Sequence, residues 1–155
     1  MRAAFPIAIL AALSAPLAAQ PRAPDWRVAA TDAAGEQGED VGASVAYIDL
    51  NSVLWQGENV DFTMEVRFRN QRNAGGANGL RAQMRADCSG MRWGSVSTTS
   101  YRGTTALGSS GATALTEARE GTNGREIVSA VCTGRYLSDS IADPIAHARQ
   151  LLGGD

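Results

Sequence analysis

The sequence predicts a single α+β domain: an antiparallel β-sheet meander of about six strands, with a C-terminal helix tied to the sheet by one disulfide. Three observations predict it. Segments 60–69 and 80–88 alternate apolar and polar residues without a fault, the period of a strand with one buried face. Asn123 to Thr133 instead spaces its apolar residues as a helix does. The two cysteines, Cys88 and Cys132, each fall on the apolar side of their own segment.

Composition narrows the function classes. The chain has 155 residues, with 14 basic residues, all arginine, against 16 acids and one histidine. One ordinary domain fits that length. A pI near 5.4 lacks the basic excess of a nucleic-acid protein. Two cysteines and one histidine cannot supply a four-cysteine zinc site, nor one with paired cysteines and paired histidines. No metal or other cofactor is expected.

Residues 1–20 read as a signal peptide rather than as fold. Arg2 supplies the positive charge, Ala3 to Leu13 is apolar apart from Pro6, and SAPLAAQ (14–20) is a small-residue tract suited to cleavage. The apolar run is about half the ~20 residues a membrane span needs, so no transmembrane anchor is expected after removal. Residues 21–25 then form a short linker, 26–133 the domain and 134–155 a tail. The expected location is exported: periplasmic, cell-surface or secreted. In such compartments two cysteines most simply form one structural bridge, and the chain has neither a C-x-x-C nor a histidine pair to suggest a redox thiol.

Along the chain, Trp26 to Ala30 opens the sheet and Ala43 to Ile48 forms a second strand. Asp49-Leu50-Asn51-Ser52 makes a corner in which Asp and Ser side chains bond local backbone. Val53 to Trp55 follows, and Gly57-Glu58-Asn59 turns into the long strand at 60. The glycine- and asparagine-rich link at 70–79 joins the two alternating strands, and setting Glu65 opposite Arg85 gives a favourable register. Met91 to Tyr101 returns as another strand. Thr104 to Thr122 reads as loop, with a helical turn at 114–120. Asn123 as N-cap and Glu126 make a capping-box-like start for the closing helix, whose stripe of Ile127, Val128, Val131 and Cys132 faces the sheet. In the tail, Asp143, Pro144 and Gly153 bound a short helix at 144–152.

These residues resemble the surface-adhesin protein E family of bacterial exported domains. The resemblance runs from Trp26 to Cys132. It rests on Trp26, the corner Tyr47-Ile48-Asp49-Leu50-Asn51-Ser52-Val53, Asp87-Cys88, Ser100-Tyr101-Arg102-Gly103, and the helix end Ile127-Val128-Ser129-Ala130-Val131-Cys132. It implies an antiparallel sheet with a disulfide-tied helix, and a role in binding host extracellular-matrix or serum proteins. Trp26, Tyr47, Asp49, Ser52, Cys88, Tyr101 and Cys132 match as fold residues.

An enzyme fits poorly. His147 lies between alanines on the tail helix and reads as a surface residue, and no Gly-x-Ser-x-Gly elbow exists. The glycines at 75–79 precede a strand rather than a helix, so they present no helix N-terminus to phosphate. Asp32, Glu36, Glu39 and Asp40 lack calcium-loop spacing. A small secreted hydrolase would need a pocket with paired acids, and a periplasmic envelope module without host contact is the nearer alternative. The candidate binding residues are Arg67, Arg69, Arg72, Arg81 and Arg85, gathered on one hairpin where they can meet an acidic surface or serve only to pair Glu65 and Asp87. Trp26, Trp55 and Trp93 read as sheet-packing residues. An exposed sheet edge leaves a homodimer open.

Overall fold

Alternation becomes one antiparallel sheet of seven strands in the computed structural model, which describes residues 22–32, 43–69 and 76–153. The expected leader, Arg72, Glu36, Glu39 and Asp40 lie outside the described residues. The strands are β1 (Trp26–Asp32), β2 (Ser44–Gln56), β3 (Asn59–Phe68), β4 (Gly79–Asp87), β5 (Arg92–Arg102), β6 (Thr105–Ser110) and β7 (Thr116–Glu117). The first six lie side by side in chain order, and β7 pairs with the start of β5. Two helices follow, α1 (Asn123–Thr133) and α2 (Pro144–Leu152).

The expected corner at 49–52 does not split a strand in two. It is a bulge inside β2, where Asp49 pairs with Thr63 and Leu54 already pairs with Asp61. Asp49 Oδ1 accepts the backbone N–H of Asn51 at 3.0 Å and of Asp25 at 2.9 Å. The Ser52 hydroxyl donates to the Asp49 carbonyl at 2.6 Å and accepts the Thr63 N–H at 2.7 Å, replacing the lost ladder bond.

The register of β3 on β4 differs from the expected one. Glu65 faces Arg81 rather than Arg85, and Arg85 faces Asp61. This register makes two opposite-charge pairs instead of one, and it sets Arg67 against Gly79. The missing side chain there matters: a Cβ on Gly79 would stand 2.5 Å from Arg67 Nη1.

The segment expected as loop with a helical turn holds β6 and β7 instead. All six residues of β6 are exposed. A strand wet on both faces has no alternation to read, because alternation records burial and not backbone conformation.

Over β1 to β3 each face of the sheet is covered by its own helix. On one side Ala46, Ile48, Val60, Phe62 and Met64 pack with Ile127, Val128 and Val131 of α1. On the other, Trp26, Val28, Val45 and Tyr47 pack with Ala148 and Leu152 of α2. The tail is therefore part of the fold. Segment 137–141 also closes the free edge of β1, with the N–H of Leu137 on the Val28 carbonyl and that of Ile141 on the Trp26 carbonyl, both at 2.8 Å. Beyond α1, Trp93 and the chain at 113–116 line an open groove over Met64 and Met84.

Local chemistry bounds both helices. Thr122, one residue before the expected Asn123, caps α1, and its hydroxyl accepts the Arg125 N–H at 3.3 Å. Glu126 lies in the first turn, where a negative charge suits the helix dipole. Asp143 caps α2 through the N–H groups of Ile145 and Ala146, with Pro144 first in the helix and Gly153 ending it. The Cys88–Cys132 disulfide joins the end of β4 to the last turn of α1, with the Cα atoms 5.7 Å apart.

Asp87 organises the turn that carries this bridge. Its carboxylate accepts the Gly90 N–H at 3.0 Å and the Ser89 hydroxyl at 2.8 Å, and it pairs with Arg92. The Gly90 N–H, then Ser89 and Arg92, lower its pKa to about 2. A depressed folded pKa means that this turn is supported above the ordinary carboxylate range. The support is lost as pH falls through about 2. A carboxyl-carbon NMR titration is expected to place the Asp87 midpoint about two units below that of an unperturbed Asp, with Asp87→Asn identifying the resonance.

Candidate binding surface

The arginines of the β3–β4 hairpin do not stand free. Arg67 sits under α2, with its Nε 2.7 Å from Glu65 Oε1 and its Nη1 2.8 Å from the Gly103 carbonyl. Arg81 holds the other oxygen of Glu65 from its Nε at 2.9 Å, and its guanidinium lies 5.5 Å from the Trp26 ring centroid. Arg85 makes a two-pronged pair with Asp61, at 2.6 and 2.7 Å. Arg69 donates from Nε to the Leu152 carbonyl at 2.6 Å, at the C-terminal end of α2. The supposed wet face of β3 is in part an interior: Glu65 is only 1% exposed. Four of the five candidate arginines thus hold internal partners, and the fifth, Arg72, lies outside the described residues.

Fold roles are visible for the family-type residues. Trp26 and Tyr47 are buried against α2. The Tyr47 hydroxyl lies 2.9 Å from His147 Nδ1, so His147 is not a free surface residue but a link between α2 and the sheet. Burial, and then the charge of Glu65, push the Tyr47 phenol well above its ordinary pKa and keep it protonated. Tyr101 is half-buried on β5, where it pairs with Gly79 and Ala106.

Trp55 departs from the sequence expectation. It is 54% exposed near the tip of the β2–β3 hairpin, while Trp26 is buried and Trp93 half-buried in the core. Trp55 borders an open groove of about 470 Å³, lined by Leu50 and Val53 of β2 and by Val131 to Gly134 and Tyr136 at the C-terminal end of α1. Leu54, on the opposite face of the same tip, is 64% exposed. The sequence does carry a signal here: Trp55 stands one residue before the Gln56–Asn59 turn, where a meander runs out of covering layer. Exposed tryptophan beside an apolar groove is the usual anchor of protein–protein contacts.

No group of three metal-ligating side chains occurs among the described residues, and none of their helices is long and apolar enough to cross a membrane. A family model for surface-adhesin protein E matches residues 35–133. The chain belongs to the surface-adhesin protein E family. The matched span of this adhesin-type domain runs from beyond β1 to the last residue of α1, and both cysteines fall within it. β1 and α2 lie outside it. Membership points to an exported or cell-surface, adhesin-like binding protein. Comparison with curated proteins and with solved structures returned no match.

Proposed function

We propose that this chain is an exported adhesin-like domain spanning 26–133, closed by its own 134–155 tail, that binds a protein partner through the Trp55 groove. An extracellular-matrix or serum protein is the partner class that family membership suggests. The observation that carries the reading is the exposed Trp55 beside Val53, Val131 and Tyr136. The hairpin arginines support it by contrast, because their charges are committed to Glu65, Asp61 and backbone carbonyls.

The test is binding to a panel of immobilised matrix and serum proteins. Trp55→Ala is expected to weaken the captured interaction by about 30-fold or more, the ~2 kcal/mol of an interface anchor, with the melting temperature unchanged. Arg85→Glu is expected to leave binding within about twofold, since its exposed pair contributes little. If Arg85→Glu abolishes binding and Trp55→Ala does not, the arginine patch is the surface instead. Protease treatment of intact cells separates an adhesin from a periplasmic module: cleavage places the domain outside, and protection removes host contact.

A further inference from the structure

β2 loses one of its neighbours before it ends. β1 starts at Trp26 opposite Asp49, and the chain ahead of it follows β2 only to Asn51. The Leu50 N–H donates to the Asp25 carbonyl at 2.9 Å and the Asn51 side-chain amide to the Ala23 carbonyl at 2.7 Å. From Leu54 to Gln56 the strand has β3 on one side and no backbone partner on the other among the described residues.

The turn decides which groups that open side presents. Gly57-Glu58 is a two-residue turn with Gly57 at φ +66°, closed by Gln56 opposite Asn59. The closing pair of such a turn shares backbone hydrogen bonds, and bonded and unbonded pairs then alternate along the ladder. Leu54, opposite Asp61, turns its N–H and C=O toward β3, and Trp55, opposite Val60, turns its own away. One residue thus offers an unpaired donor, an unpaired acceptor and an exposed indole. None of the side chains lining the groove beside it is charged. A helix satisfies its own main chain and leaves such groups unmet, whereas an extended peptide meets them. The chain closes its β1 edge in that way, with segment 137–141. The edge of β6 is exposed too, but it carries no aromatic anchor.

We propose that the Trp55 groove takes its protein partner as an extended, uncharged segment laid alongside β2. The segment bonds to the N–H and C=O of Trp55, seats one apolar side chain between Trp55 and Tyr136, and lays the next against Leu54. This rests on the groove reading above and specifies the form of its partner. The test is binding of the full chain to the peptide Lys-Ser-Val-Leu-Val-Ser-Lys, and to a copy N-methylated at its three apolar residues. In the free chain the Trp55 amide should exchange with solvent faster than those of Leu54 and Gln56, at any protein concentration. The plain peptide should bind saturably and slow Trp55 exchange by about tenfold or more. The N-methylated copy should bind at least about tenfold more weakly. Trp55→Ala should abolish peptide binding, and Leu107→Arg on β6 should change nothing. Equal binding of the N-methylated copy, unslowed Trp55 exchange, loss of binding in Leu107→Arg, or no saturable binding would each overturn the proposal. So would protection of the Trp55 amide that grows with protein concentration, which puts a second copy of the chain there. The groove reading survives any of these if Trp55→Ala still weakens capture of the whole partner.

Discussion

Replacing Glu65 by alanine is expected to lower the unfolding free energy by about 3–5 kcal/mol, among the largest effects of any single substitution in this chain. Glu65 is 1% exposed, and it takes Arg67 on one carboxylate oxygen and Arg81 on the other. Removing it leaves the Arg67 guanidinium buried beneath α2 with the Gly103 carbonyl as its remaining bonded acceptor among the described residues. A buried charge without its counter-ion is far costlier than the intact pair is stabilising. Arg81 is half-exposed and water compensates it, so the loss is set by Arg67. Denaturant titration should show a lower midpoint at an unchanged slope, and the thermal midpoint should fall by roughly 10–20 °C. The double variant Glu65→Met, Arg67→Met is expected to recover most of the loss, because it removes both charges and keeps volume. If Glu65→Ala alone costs under about 1 kcal/mol, the pair behaves as an exposed one, and the interior reading of this face is wrong.

The second large effect follows from cutting the Cys88–Cys132 bridge. The cysteines are 44 positions apart, and closing a loop of that length is worth ~4 kcal/mol through the entropy of the unfolded chain. The Cys88→Ala, Cys132→Ala variant should melt about 10–20 °C lower. The native contacts decide where the loss is felt. α1 is short, and its buried stripe is Ile127, Val128, Ala130 and Val131. An 11-residue helix is marginal alone in water and depends on docking. Hydrogen exchange is therefore expected to quicken first in α1 and in the turn after β4, before the β2–β3–β4 centre. Cys132 also lines the Trp55 groove, so partner binding should weaken along with stability. In Trp55→Ala, by contrast, binding falls while stability holds.

Much of this architecture is legible locally. The alternation of Val60, Phe62, Met64 and Phe68, and of Ala82, Met84 and Ala86, specifies strands because each apolar side chain records burial on one face. Asp143, Pro144 and Gly153 bound α2 through bonds that span only a few residues. The helical stripe at 127–132 directs Cys132 to the face that also receives Cys88. What was not legible depends on neighbours far along the chain. The Glu65–Arg81 register rests on the room left by Gly79 for Arg67, and charge pairing alone allowed another choice. β6 leaves no mark in the hydrophobic pattern because it buries nothing. Thr122 rather than Asn123 caps α1, a one-residue difference that either side chain supports in sequence.

The candidate surfaces divide along the same line. By itself the sequence determined the meander, both helices and the disulfide, since each follows from short-range periodicity, capping or a cysteine on an apolar face. Only the tertiary structure decided which polar residues are inside. Glu65 and Arg67 alternate like solvent-facing residues, yet α2, about 80 residues later, covers them. Trp55 has the composition of a core residue, yet it stands exposed beside the groove at the end of α1. The physical reason is common to both: periodicity reports which side of a strand a residue takes. Whether that side meets water is set by what the rest of the chain lays across it.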